Sequence, residues 1–169
     1  MRALICGSIA YDNIMVFEGH FKDHILPDKV HTLTVSFLVD SMKRMRGGVA
    51  GNIAYSLALL GERPLVVATC GQDFNEYRNW MEKAGVDCSG IMEIPDEFTA
   101  SCFINTDRAN NQIVAFYPGA MTNSKDLSLK GRGLGPNDLA IISPTDPRIW
   151  RSKKLRALMR KRTASIRPK

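Results

Sequence analysis

Two polar side chains, each close to a turn-forming segment, are the residues of this chain best suited to hold a small polar ligand. Asp12 lies four residues after Ser8, and Asn52 lies four residues after the pair Gly47-Gly48. A carboxylate accepts hydrogen bonds from two neighbouring hydroxyls, whereas an amide both donates and accepts. These residue types suit a neutral polyol such as ribose better than a phosphate. The alternatives are a turn or capping aspartate at position 12 and a helix cap at position 52.

Two predicted elements must position these residues. Residues 3–6 are a short apolar run before Gly7-Ser8, which is typical of a buried parallel strand with a turn at its carboxyl end. Gly47-Gly48 precedes an amphipathic helix that ends at Gly61, with Ile53, Leu57 and Leu60 on its buried face. Ligands of open α/β sheets bind at the carboxyl ends of strands, glycines allow close backbone approach, and a helix start offers unpaired N–H groups. We therefore expect one site that contains Ser8, Asp12, Gly47, Gly48 and Asn52.

The rest of the chain alternates strand and helix patterns. Residues 65–70 and 139–143 predict buried strands, and a helix over 75–83 is expected to end at Gly85. Residues 101–105 and 112–117 flank a turn-forming segment and predict a β-hairpin. The alternation indicates an α/β fold with a parallel sheet flanked by helices.

Several blocks along the chain resemble the ribokinase-like (PfkB) family of sugar and nucleoside kinases, and within it the bacterial adenosine kinases. The resemblance extends from residue 1 to residue 147. The matching blocks are Gly7–Phe17, Leu26-Pro27, Ser36–Asp40, Arg46–Asn52, Gly71–Phe74, Thr106-Asp107 and Gln112–Met121.

The resemblance implies a three-layer α/β domain over residues 1–147, with a small β-sheet lid formed by segments of about 13–38 and 99–117. It implies transfer of the γ-phosphoryl group of ATP, with Mg²⁺, to the 5′-hydroxyl of adenosine. It assigns substrate binding to Ser8, Asp12, Gly47, Gly48, Asn52 and Phe116. In some members of the family the lid also forms a homodimer. Another PfkB-type sugar kinase is the alternative.

Phe116 matches an aromatic residue that stacks on the adenine in bacterial adenosine kinases, and a flat ring suits a purine. At the position of the partner aromatic on the neighbouring lid strand this chain has Cys102. Half of the aromatic clamp is therefore missing, or Phe103 supplies it through a change of register.

The family carries a Gly-Ala-Gly-Asp-type motif, whose glycines form an anion hole and whose aspartate is the general base, in its C-terminal half. No such motif occurs in this sequence, and the adenine pocket for ATP is also largely C-terminal in the family. We therefore expect a truncated, inactive form without catalytic residues. A non-catalytic fragment that binds nucleosides or dimerises is a further interpretation.

The positive net charge comes entirely from the end of the chain. Residues 148–169 contain ten of the 23 Lys and Arg residues and none of the 17 acidic residues, so residues 1–147 carry a net charge of −4. Runs of like charge are commonly solvated. We interpret 148–169 as a non-homologous, disordered tail. Because aromatic residues are not interleaved with its charges, we do not expect a dedicated nucleic-acid site.

The four cysteines lack a Cys-x-x-Cys pair, and Cys6 and Cys70 lie in apolar runs. Reduced, buried thiols of a cytoplasmic protein are the expectation. No signal peptide and no membrane span is predicted. His20 and His24 are four residues apart but fall in a predicted loop without a third ligand, so we predict no metal site there.

Overall fold

The structure is a computed structural model that describes residues 3–127 and 138–145 of the 169-residue chain. The tail predicted at 148–169 lies outside the described residues. Short 3₁₀ turns occupy Phe21–Asp23, Pro27–Thr32 and Gly119–Asp126. The strands and α-helices of the described part are, in chain order, β1 (Ala3–Cys6), β2 (Ala10–Val16), β3 (Ser41–Gly47), α1 (Val49–Leu59), β4 (Leu65–Gly71), α2 (Asn75–Lys83), β5 (Asp87–Ile94), β6 (Ala100–Thr106), β7 (Gln112–Tyr117) and β8 (Leu139–Ile142).

The first sheet, which we call the body sheet, is parallel with strand order β5-β4-β1-β8. Alternate residues of its strands face opposite sides. Ile5 and Val66 pack with α1 and α2 on one side, whereas Leu4 and Val67 belong to a second apolar cluster with Leu127. Burial on both faces explains why these strands are continuous apolar runs. The predicted α/β fold with a parallel sheet and flanking helices is confirmed.

Helix α1 buries a different face from the one predicted. Its fully buried positions are the small residues Ala50, Gly51, Ala54 and Ala58, whereas Ile53 and Leu57 are only partly buried and Leu60 is 80% exposed. Small side chains let the helix backbone lie close to the sheet and to the Tyr77 hydroxyl, which a Cβ at position 51 would meet at 2.4 Å. The predicted end is confirmed, because Gly61 adopts a positive φ of 86° directly after the helix.

The strand predicted at 139–143 is present as β8, but it is not buried as expected. Its residues are intermediate or exposed, with Leu139 37% exposed. Within the described residues β8 pairs only with β1, so it lies at an edge of the body sheet. The predicted strand 65–70 and helix 75–83 are confirmed as β4 and α2.

The second sheet, the lid, has strand order β3-β2-β6-β7. Strands β6 and β7 form the predicted hairpin, with Asn110 in the left-handed region at φ 61°. Strand β2 pairs in parallel with β6 and antiparallel with β3. The segment expected to form part of the lid sheet, residues 13–38, contributes only the end of β2, because beyond residue 16 it contains 3₁₀ turns and no strand. The remaining lid strand, β3, lies just after this segment.

One carboxylate organises the tip of this hairpin. Asp107 accepts hydrogen bonds from the backbone N–H groups of Ala109 (2.9 Å), Asn111 (2.8 Å) and Phe21 (3.0 Å), and from the Asn111 amide. Desolvation raises the pKa of this carboxyl, but the hydrogen bonds outweigh it and lower the pKa to about 2. Asp107 therefore fastens the segment that follows β2 to the tip of the lid.

Candidate functional site

A cavity of about 380 Å³ lies between the lid and the start of α1. This volume falls in the range of small-molecule pockets, about 300–1,000 Å³. A larger open groove of about 730 Å³, lined by Arg63, Arg78 and Glu82 among others, contains none of the predicted site residues. The cavity is lined by Ser8, Ala10, Asp12, Gly48, Val49, Asn52, Cys102, Phe116, Met121, Pro144 and Thr145.

Ser8 joins the end of β1 to the start of α1. Its hydroxyl accepts a hydrogen bond from the Val49 N–H (3.0 Å), and its carbonyl accepts one from the Ala50 N–H (3.0 Å). Two N–H groups of the helix start, which the sequence predicted to be open to a ligand, are thus already paired within the protein. These two N–H groups are therefore not available to an anion.

Gly48 is required where these segments meet. It adopts a φ of 87°, and a Cβ there would lie 2.6 Å from the Ser8 carbonyl oxygen. Gly47 has a different role, since a Cβ at that position would lie 2.3 Å from a carboxylate oxygen of Asp12. Gly47 therefore leaves the space that the Asp12 side chain occupies, while Gly48 allows the strand and helix backbones to approach.

Asp12 lies in lid strand β2, not at the edge of the body sheet where the sequence placed it. It is directly opposite Met45 on one side and Cys102 on the other. Asn52 lies inside the first turn of α1 behind Gly48, so it is not the helix cap. Within the described part of the chain, neither the Asp12 carboxylate nor the Asn52 amide makes a hydrogen bond through its side chain. Both groups are therefore available to a ligand in the cavity.

Phe116 faces the same cavity from the lid. It is paired directly with Cys102, whereas Phe103 is paired with Ala115 and therefore projects from the opposite face. The observed register thus rules out Phe103 as the second aromatic of the clamp. Burial, with a further contribution from the charge of Asp12, raises the pKa of the Cys102 thiol. The thiol is accordingly a neutral group beside the ring.

Residues 11–142, more than half of the chain, match the pfkB family of carbohydrate kinases. The chain belongs to this family. A nucleoside kinase of Methanothermobacter thermautotrophicus is 34% identical over 119 residues, which cover 68% of this chain and 38% of that protein. The chain spans less than half the length of the curated relatives it matches.

Solved structures agree with this assignment. The nucleoside kinase of Burkholderia thailandensis in complex with inosine is 44% identical with a TM-score of 0.67, covering 85% of this chain and 44% of that one. The nucleoside kinase of Methanocaldococcus jannaschii, an archaeal member of the ribokinase family, is 26% identical with a TM-score of 0.70, covering 86% and 45% of the two chains. The resemblance to ribokinase-like kinases and the predicted fold class are confirmed.

Five residues that line the pfkB cavity were not among the predicted site residues: Ala10, Val49, Met121, Pro144 and Thr145. The last two follow β8, and the Pro144 carbonyl accepts a hydrogen bond from the Ser8 N–H (3.1 Å). A signal for them existed, because neighbouring parallel strands end at the same edge of a sheet. Their place became predictable only once β8 was known to be the neighbour of β1.

Among residues 3–127 and 138–145, no three His, Cys, Asp or Glu side chains lie together in a way that could hold a metal ion. Over the same residues, none of the helices combines the length and the apolar character needed to cross a bilayer. All four cysteines are free, and three of them are buried.

Proposed function

We propose that the cavity between the lid and α1 binds a purine nucleoside. In this proposal Asp12 and Asn52 bind the ribose hydroxyls, Gly47 and Gly48 give them room, and Phe116 stacks on the base. The observation that carries the proposal concerns Asp12 and Asn52, whose side chains make no hydrogen bond within the described part of the chain. Both face the same cavity as Phe116, which is 53% exposed.

The spacing of the lid strands supports a nucleoside in particular. Asp12, Cys102 and Phe116 form one row across three adjacent strands. Neighbouring strands are about 4.8 Å apart, so Asp12 and Phe116 are separated by about 10 Å. This separation suits a ligand with hydroxyls at one end and a flat ring at the other. A simple sugar would reach only one end of the row.

The pairing of N–H groups at the start of α1 also favours binding of the uncharged ribose at this end of the cavity. Ser8 occupies the N–H groups of Val49 and Ala50, which leaves the polyol-binding groups Asp12 and Asn52 as the polar features of this end of the cavity. Ser8 then acts mainly by holding α1 against β1. Adenosine is the acceptor that the motif blocks favour, and the inosine complex of the Burkholderia thailandensis kinase makes inosine the second purine to test.

For the whole protein, the proposed reaction is transfer of the γ-phosphoryl group of ATP to the nucleoside 5′-hydroxyl, with Mg²⁺ neutralising phosphate charge. For the 169-residue chain we propose nucleoside binding without useful transfer. A positioned general base contributes about 10²–10⁴-fold. Asp12 is the one carboxylate among the described residues that line the cavity, and it is assigned to the ribose. Asp107 already accepts hydrogen bonds from backbone N–H groups at the tip of the hairpin.

The test separates binding from transfer. Isothermal titration of adenosine and inosine into the purified chain is expected to give saturable binding, and ribose alone should bind far more weakly. Incubation with labelled ATP, Mg²⁺ and adenosine should give no AMP above a blank, with the Burkholderia thailandensis kinase as positive control. Absence of nucleoside binding contradicts the proposed ligand. AMP formation that persists after host kinases are excluded contradicts the proposed inactivity.

Two further proposals concern assembly and location. Exposed apolar residues of the lid, such as Ile14 and Val114, support a homodimer through this sheet, which light scattering after gel filtration would detect.

The free cysteines support a cytoplasmic location, since reducing compartments keep thiols unpaired.

A further inference from the structure

The lid face opposite the cavity rests on the body through side chains from α2 and from the segment before it. Tyr11 packs against Tyr77, with ring centroids 5.6 Å apart. Arg44 places its guanidinium 3.6 Å from the centroid of the Tyr11 ring. Arg46 forms an ion pair with Glu76 (2.6 Å). Tyr11, Arg44 and Arg46 alternate along their strands with Asp12 and its paired residue Met45, which belong to the row of residues that faces the cavity (the cavity row). Their side chains therefore lie on the opposite face of the lid, which we call its outer face and which contacts the body.

One body residue, Asp73, binds to three separate parts of the lid. One carboxylate oxygen accepts a hydrogen bond from the Thr99 N–H (2.8 Å), directly before β6. The other oxygen forms an ion pair with Arg44 of β3, and the backbone carbonyl accepts a hydrogen bond from the Tyr11 hydroxyl of β2 (3.1 Å). The Asp73 side chain is only 17% exposed.

Asp73 is also fixed from its own side. It follows β4 by two residues, and the Gly71 N–H donates to the Thr99 hydroxyl (3.0 Å). Desolvation raises the pKa of Asp73, but hydrogen bonds from Thr99 and Arg44 outweigh it and the pKa is lowered. The carboxylate therefore stays charged at neutral pH. By contrast, Glu76 is 86% exposed and contacts one lid residue, so its pair with Arg46 contributes little.

Each residue that Asp73 binds is close in sequence to a residue of the cavity row. Tyr11 precedes Asp12, Arg44 precedes Met45, which is paired with Asp12, and Thr99 lies directly before β6, the strand that carries Cys102. We infer that Asp73 is a positioning residue, which holds the lid at the distance from α1 where Asp12 and Phe116 reach the same nucleoside as Asn52. This inference rests on the proposed function. It adds a residue that lies outside the cavity and touches no ligand.

The experiment compares Asp73→Asn with Glu76→Gln in the full chain. Both replace a carboxylate by an amide at the lid contact, but only Asp73→Asn removes the ion pair with Arg44 while leaving an acceptor for the buried Thr99 N–H. Asp73→Ala removes both contacts. Hydrogen exchange of backbone amides, the dissociation constant for inosine and the unfolding temperature are measured for each protein.

We expect exchange of the β2, β3 and β6 amides to rise in the order Glu76→Gln, Asp73→Asn, Asp73→Ala, with β4 and α1 unchanged. Inosine affinity should fall about tenfold in Asp73→Ala, the size of one lost charge-assisted hydrogen bond, and by less in Asp73→Asn. Faster exchange spread equally over both sheets would make Asp73 merely structural and overturn the inference. So would Asp73 variants that behave like Glu76→Gln in exchange and affinity. If the unmodified chain binds no inosine, the proposed function fails while the exchange pattern still decides the role of Asp73 in the lid.

Discussion

The body sheet and the lid are held by different forces although each has four strands. Body strands β1 and β4 are buried along their whole length and carry apolar residues on both faces. The lid exposes every residue of β7 and most of β3, and its outer face contacts the body through polar groups such as Arg44 and Asp73. The difference indicates that burial of apolar side chains stabilises the body sheet, whereas hydrogen bonds and ion pairs position the binding residues of the lid.

The same substitution should destabilise the body sheet far more than the lid. Ile5 of β1 is fully buried, whereas Ile14 of β2 is 38% exposed. Ile5→Ala should lower the free energy of unfolding by about 2–5 kcal/mol, because it leaves a cavity in a packed core. Ile14→Ala should cost less than about 1 kcal/mol, since surface substitutions are mild. Urea unfolding of both variants checks this, and similar losses would contradict the distinction.

The junction between the sheets can be tested with two glycines of nearly equal backbone conformation. Gly48 has φ 87° and Gly61 has φ 86°, but only at Gly48 would a Cβ meet neighbouring backbone. Gly61→Ala should cost about 1 kcal/mol from backbone strain alone. Gly48→Ala should cost about 2–4 kcal/mol, because strain and overpacking add. Thermal unfolding distinguishes them, and equal midpoints would show that the close approach to Ser8 is unimportant.

A lid residue should affect binding far more than folding. Asp12→Ala should remove charge-assisted hydrogen bonds to the ribose worth about 1.5–3 kcal/mol, which is about ten- to a hundredfold in affinity. Asp40→Ala, which removes an exposed carboxylate just before β3, is the matched control and should leave affinity unchanged. Titration calorimetry with adenosine measures both. Unchanged binding by Asp12→Ala would reject its assignment.

Local patterns predicted those parts of the fold that depend on local chemistry. The apolar run at 65–70 and the helix at 75–83 are signals of burial and periodicity, and both elements are present. Strand β3 carried no such signal, because most of its side chains are exposed and it includes Lys43, Arg44 and Arg46. It forms a strand through pairing with β2, and its arginines make ion pairs with Asp73, just before α2, and with Glu76 of α2.

The candidate site shows the same division. Asp12, Asn52, Gly48 and Phe116 were predicted and all line one cavity. The strand that carries Asp12 was not predicted, because its pairing with β6 joins residues about ninety positions apart in sequence. The pairing of Ser8 with the start of α1 was also missed. A serine after a strand gives no sign of whether its hydroxyl will bind a ligand or a backbone N–H group.

The smallest expected effect is a pH dependence that belongs to the lid. The pKa of Asp107 is lowered from its usual 3.8 to about 2 in the folded protein. A lowered pKa contributes stability above the unfolded value, and that contribution is lost as pH falls from about 4 towards 2. Unfolding temperatures of the unmodified chain and Asp107→Asn should therefore converge over this range. A difference that stays constant from pH 5 to 2 would show that the hairpin-tip hydrogen bonds do not depend on the charge.

The most direct test of nucleoside binding in this cavity uses the four free thiols. Burial raises the pKa of Cys6 and Cys88 to about 11 and that of Cys70 to about 12, and all three are buried away from the cavity lining. Cys102 lines the cavity between Asp12 and Phe116 and is only half-buried. It should react first with iodoacetamide, as followed by peptide mass spectrometry. Adenosine at a concentration that just saturates the unmodified chain should slow its alkylation there, and should slow it much less in Asp12→Ala, which binds adenosine more weakly. An alkylation rate at Cys102 that adenosine leaves unchanged, in a chain that calorimetry shows to bind adenosine, would place the nucleoside elsewhere and contradict the account.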